Sequence, residues 1–187
     1  MTRFRMTVVS MVALLTACVW QPVVYDDAER LSVDDTLAEF RKEQLLAPFF
    51  DEALAYAVFP GSFRAGTGFG GAYGSGWLLE DGDAVGRVTL FEFFAGADLG
   101  AQIYRTILFF KTEKALRNFK KGSFEFTGQA NVAHVVGGYS AAPSYHPEVA
   151  LFVQVRGGLL LEASVGTQRY DYFPLQGTIN EANDLAR

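Results

Sequence analysis

The sequence predicts an α+β domain: a curved, mostly antiparallel, barrel-like sheet with N-terminal helices and one inserted helix packed on it. Three observations carry this reading. Apolar and polar residues alternate along residues 149–156 and 159–166, the period of half-buried strands. Six glycines stand among the eleven residues 66–76, with Phe69 and Tyr73 between them, a composition that suits a strongly bent strand. Residues 112–121 instead carry the start and stop signals of a short helix. With 187 residues, half of them hydrophobic, the chain is sized for one core and is not disordered.

The elements follow in order. A first helix is expected from Ser32, which can cap, with Asp34 and Asp35 in the first turn where the helix dipole favours negative charge. Val33, Leu37, Phe40 and Leu45 approximate its apolar stripe. Pro48 opens a second helical segment through Phe49, Phe50 and Leu54. Residues 56–60 are a short apolar run stopped by Pro60. The glycine strand of Gly66, Gly68, Gly70, Gly71, Gly74 and Gly76 comes next, then Trp77, Leu78 and Leu79, then a turn at Asp81, Gly82 and Asp83. Residues 88–94 and 102–110 read as two more strands. In the inserted helix Thr112 is the cap, Glu113 lies in the first turn, lysines lie in the last, and Gly122 follows the end. Residues 124–136 alternate in part. Gly157 and Gly158 read as a hairpin turn between the two alternating strands. Tyr170, Tyr172 and Phe173 close the sheet region, and a polar tail starts at Gln176.

The first residues read as an address. Arg3 and Arg5 precede an apolar run at residues 6–15, too short to span a bilayer, which needs about 20 residues. The run ends in Leu15, Thr16, Ala17 and Cys18, the pattern of a bacterial lipoprotein signal. That chemistry needs a thiol at this position, because the sulfur takes a diacylglycerol before the peptide is cut. An ordinary secretory signal would need no cysteine, and the single cysteine of the chain stands here. The expected organisation is a signal peptide over 1–17, a tether over 18–31, the domain over 32–175 and a loose tail over 176–187. The expected location is the cell envelope, lipid-anchored through acylated Cys18. Val19 after the cysteine favours the periplasmic face of the outer membrane. Two or more acyl chains make such an anchor stable.

Charge and composition narrow the chemistry. A net charge of −5 argues against a nucleic-acid partner. One cysteine excludes an internal disulfide, and two histidines, His134 and His146, twelve apart, suggest no metal site. Residues 66–71 match G-x-G-x-x-G, but more glycine follows where a dinucleotide site needs a helix. Glu80, Asp81 and Asp83 sit in a turn signal and read as turn chemistry. No cofactor and no enzymatic activity are expected. Lys111, Lys114, Arg117, Lys120 and Lys121 lie on or beside one helix, opposite Ala115, Leu116 and Phe119. They read either as a solvated face or as a contact for anionic headgroups. Phe91, Phe93, Phe94, Phe109 and Phe110 put aromatics on both faces of adjacent strands, which calls for helices as cover or for an apolar ligand.

Four stretches, taken together, resemble the SYLF domain family. They are Ala57-Val58-Phe59-Pro60, the glycine strand from Gly68 through Leu78, Gly100-Ala101-Gln102-Ile103-Tyr104 with the following Thr112-Glu113-Lys114-Ala115-Leu116, and Gly157-Gly158 through Gly166. A second glycine-rich envelope family, the EipA type, carries a similar strand. The SYLF resemblance covers roughly residues 46–172 and implies a non-enzymatic lipid-binding domain, of which many bacterial examples are envelope lipoproteins. The implied partners are membrane lipid, including anionic phospholipid, or an envelope protein in a structural or assembly role.

Overall fold

The computed structural model describes residues 25–122, 124–127, 134–135, 148–161 and 164–175. One long hairpin organises them. Asp81 and Gly82 take φ of 52° and 90°, the backbone of a tight two-residue turn whose twist matches its strands. From it β1 (Ala55–Glu80) and β2 (Asp83–Phe110) run antiparallel over their whole length, from Glu80 opposite Asp83 to Ala55 opposite Phe110. On the other side of β2, β5 (Val149–Leu161) pairs with residues 99–110 and β6 (Ser164–Pro174) with residues 86–96, both antiparallel. β5 and β6 therefore continue one another along β2. β3 (Phe124–Thr127) joins β6 antiparallel, and β4 (His134–Val135) joins β5 in parallel. The six-stranded sheet has the order β3-β6-β2-β5-β4, with β1 on β2.

The long strands bend at one level. β1 has a bulge between Thr67 and Phe69, with Gly68 at φ 81°. At the same level β2 passes from Ala95 to Leu99, and its other neighbour changes from β6 to β5. The bend folds the two halves of β1 against each other. A β-carbon built on Gly76 would collide with the Val58 carbonyl, one on Gly74 with the Ser62 hydroxyl, and one on Gly70 with the Ala65 carbonyl. A β-carbon on Gly66 would lie 2.6 Å from the Phe94 ring. Gly76 and Gly70 are required by close backbone approach and Gly74 and Gly66 by the side chains they face, not by turn conformation.

Two apolar layers result. The inner face of the bend buries Ala57, Phe59, Leu78, Val88, Leu90, Leu108, Phe110, Leu151 and Tyr170. The outer face is covered by α1 (Asp27–Arg41), a 3₁₀ turn (Gln44–Leu46) and α2 (Ala47–Glu52). Their Val33, Leu37, Phe40, Leu46 and Phe49 pack on Val58, Trp77, Ile107, Phe109 and Phe152. Successive residues of a strand face opposite ways, so Phe109 and Phe110 are both fully buried in different layers. Phe109 meets Phe49 and Phe50 at ring distances of 5.8 and 4.9 Å. Phe110 meets Phe119 of α3 (Glu113–Lys120) at 4.7 Å.

The architecture is α+β with a curved, mainly antiparallel sheet, but the sheet is not closed into a barrel. Other expectations need correction. α1 begins at Asp27, not at Ser32, because the Asp26 carboxylate accepts from the Glu29 amide at 2.9 Å and caps the helix earlier. The last five residues read as tether are thus helical. Pro60 does not stop its strand. It falls where β1 shifts register, between Phe59 and Ser62, so its missing N–H removes no rung of the ladder. The segments at 56–60, 66–76 and 77–79 are one strand, as are 88–94 and 102–110. Gly157 and Gly158 form no turn. They sit within β5 opposite Ile103 and Gln102. Residues 128–133, 136–147 and the tail from Gln176 lie outside the described residues.

The inner layer also sets an alkaline limit. The Tyr172 hydroxyl donates to the Val85 carbonyl at 3.1 Å, and burial, with Glu80 nearby, pushes its pKa up to about 12. Tyr170 is pushed well above the ordinary tyrosine range, first by burial, then by Tyr104 and Glu92. Stability linked to Tyr172 is complete below pH 10 and is lost as pH rises towards about 12. A phenolate absorbance titration is expected to show Tyr172 silent at pH 11 and Tyr170 ionising only on unfolding. Ordinary titration of both would contradict the burial.

Candidate functional site

The basic helix lies at the end of the sheet remote from the bend. Thr112 caps α3, its hydroxyl accepting from the Ala115 amide at 3.3 Å and donating to Glu148 at 2.8 Å. Ala115, Leu116 and Phe119 are buried against the inner layer. Lys111 pairs with Glu52 at 2.8 Å and Lys120 with Glu80 at 2.5 Å. These two pairs tie one end of the helix to the end of α2 and the other to the end of β1. Arg117 pairs with Glu113 one turn earlier at 3.4 Å. Among the described residues, Lys114 and Lys121 have no ion-pair partner, and both are exposed. Of the five basic residues, three are engaged with carboxylates, so the positive potential of this face is largely offset locally.

A second constellation is internal and escaped the sequence reading. Arg64 on β1 and Glu92 on β2 both face the inner layer. Arg64 Nη1 and Glu92 Oε1 stand 2.5 Å apart, with side chains only 9% and 6% exposed. The Arg64 guanidinium stacks 3.8 Å over the Phe94 ring, which itself fits over Gly66 and Gly70. Gln168 Nε2 donates to the other Glu92 oxygen at 3.2 Å, and the Tyr170 hydroxyl donates to Gln168 at 3.0 Å. The chain Tyr170–Gln168–Glu92–Arg64 links a buried charge pair across three strands of the inner face next to the bend. A signal was available: in Leu90, Glu92 and Phe94 the alternation carries a carboxylate on the apolar face.

The third feature is the outer face of the bend. The helices cover this face only as far as Trp77 and Ile107. Beyond them Phe69, Phe93 and Leu99 are 76%, 78% and 61% exposed. Behind this leading group stand Tyr73 and Phe91, opposite each other with rings 5.1 Å apart, and Phe63 opposite Ile103. All four are exposed. Arg169 lies across from Phe91 on β6, and the exposed Arg156 follows Val155 on β5. Single exposed apolar residues need no explanation, but a contiguous set of large ones marks a contact surface. Thus the phenylalanine surplus divides: Phe94, Phe109 and Phe110 are core, whereas Phe91 and Phe93 are uncovered among the described residues.

Cys18 and His146 lie outside the described residues, and of His134 only the strand position is described. Among the described residues there is no group of three or more metal-ligating side chains and no helix long and apolar enough to cross a membrane. The G-x-G-x-x-G match lies inside β1 and opens no helix, so it lacks the helix N-terminus that would receive a pyrophosphate. No family model matches the chain, and no curated protein matches it.

Proposed function

We propose that the chain is a lipid-anchored protein of the cell envelope whose SYLF-like domain is a non-catalytic lipid-binding module. Cys18 carries the acyl anchor, and the folded domain adds a contact of its own to the acyl region or interface of the bilayer. The observation that supports this is the uncovered aromatic surface at the bend, led by Phe69 and Phe93. Apolar contact fits better than headgroup contact through α3, because Lys111, Arg117 and Lys120 are already paired.

Co-sedimentation of the mature chain carrying Cys18→Ser tests the reading without the anchor. Binding to neutral and anionic vesicles alike, with little salt dependence, is expected, and the F69S/F93S double substitution should weaken it by about tenfold or more. Binding only to anionic vesicles, lost on raising salt and abolished by K114E/K121E, would return the contact to the basic helix. No binding to any vesicle would overturn the lipid reading in favour of a structural or assembly protein that meets a protein partner.

A further inference from the structure

We infer that the domain meets the bilayer bend-first, with the distal bend of the β1–β2 hairpin in the membrane interface and α3 facing away from it. This rests on the lipid-anchored reading and adds the orientation and the inserting residues.

Outward-facing residues near the bend are ordered by depth. Phe69, Phe93 and Leu99 lead, and Tyr73, Phe91, Phe63 and Ile103 follow. Arg169 and Arg156 stand at the rear of this zone. Same-face neighbours along a strand are two residues apart, about 7 Å, so the apolar zone reaches roughly 15 Å back from the bend. That is the order of a bilayer interface: phenylalanine and leucine deepest, tyrosine at headgroup level, arginine where phosphates lie. The described outward side chains of this zone on β1 and β2 include no carboxylate, while Asp98 belongs to the bend itself and its side chain lies outside the described ones. The first carboxylate on this face of β6 is Asp171, beyond Arg169 and paired with it at 3.1 Å.

The anchor is compatible in length. Tyr25 packs on Trp77 at a ring distance of 4.6 Å, so the first described residue stands beside Trp77 on the outer face. Trp77 lies eight residues from Phe69 along β1, about 26 Å. Residues 18–24 can span at most about 25 Å when extended. With the bend sunk to the depth of its apolar zone, Tyr25 stands some 10–15 Å above the surface, within reach of an acylated Cys18. A base-first orientation would place α3 and its carboxylate partners Glu52, Glu80 and Glu113 at the membrane instead.

The test uses the full mature protein, acylated and reconstituted in vesicles of phosphatidylcholine and phosphatidylglycerol. An acylated Cys18 has no free thiol, so an introduced cysteine is the single labelling site. F93C, F69C and D81C, each carrying an environment-sensitive dye, are compared for quenching by spin-labelled lipids. Phe69 and Phe93 are mostly exposed, so these changes spare the core, and two sites guard against the failure of one. Quenching at 93 and 69 severalfold stronger than at 81 is the expected result. Quenching at 81 equal to or above that at 93 and 69 would overturn the orientation and leave the lipid-anchored reading intact, as would no quenching at any site. A mature N-terminus that mass measurement shows to lack acyl chains would remove the premise and overturn both.

Discussion

Glu92→Ala is expected to lower the unfolding free energy by about 3–5 kcal/mol, because it leaves the Arg64 charge buried without its carboxylate. For a domain of this size the melting temperature should fall by roughly 10 °C. The pair is almost dry, at 9% and 6% exposure, so solvent screening cannot absorb the loss as it would at the surface. Gln168 would also lose the acceptor for its amide, and Tyr170 would stay tied to a side chain with one bond fewer. Arg64→Ala should cost a similar amount, taking the guanidinium from the buried Glu92 carboxylate and from the Phe94 ring. The R64M/E92L double substitution should recover most of the loss, since apolar residues of similar volume often replace a buried ion pair without penalty. Urea unfolding of the four proteins measures this directly. Single-mutant losses below about 1 kcal/mol would mean that water reaches the pair.

The second large effect is expected at Gly76. Alanine there places a methyl against the Val58 carbonyl and close to the Phe59 backbone, so relief requires the two halves of β1 to part. Overpacking of a core normally costs about 1–3 kcal/mol, and a backbone obstacle, which cannot rotate away as a side chain does, places this site at or above the upper end. Gly61→Ala is the control, because nothing lies within 4 Å of a β-carbon built there. It should change stability by no more than about 0.5 kcal/mol. A tolerated G76A would show that the two halves of β1 part easily at this level.

The parts of the fold that could be read from the chain rest on local chemistry. Thr112 caps its helix and Gly122, at φ 78°, ends it, because both signals act through neighbouring backbone groups. The Asp81–Gly82 turn is equally local. Gly157 and Gly158 misled because two adjacent glycines suit a hairpin and also suit a strand. Only pairing with Ile103 and Gln102 of β2, more than fifty residues earlier, selects the strand. The site was less legible. The five basic residues of the α3 region are evident as charges, but their partners Glu52 and Glu80 come from distant elements. Phe93 and Phe94 look alike in sequence. One is 78% exposed and the other buried over Gly66 and Gly70, because strand alternation sends them to opposite faces and the helices stop short of the outer one.

By itself the sequence determined the α+β class, the capped inserted helix, the hairpin turn and the need for small residues through 66–76. The helix cap and the turn follow from backbone conformation and from contacts a few residues apart, whereas the small residues were legible as composition and their reason lies in contacts with Val58, Ser62 and Phe94. Only the tertiary structure decided that the hairpin bends at Gly68, that Arg64 and Glu92 meet inside it, and that no described residue covers the outer face of the bend. The reason is physical. A bulge shifts the alternation of every residue beyond it, so inside and outside depend on long-range register and on where covering helices end.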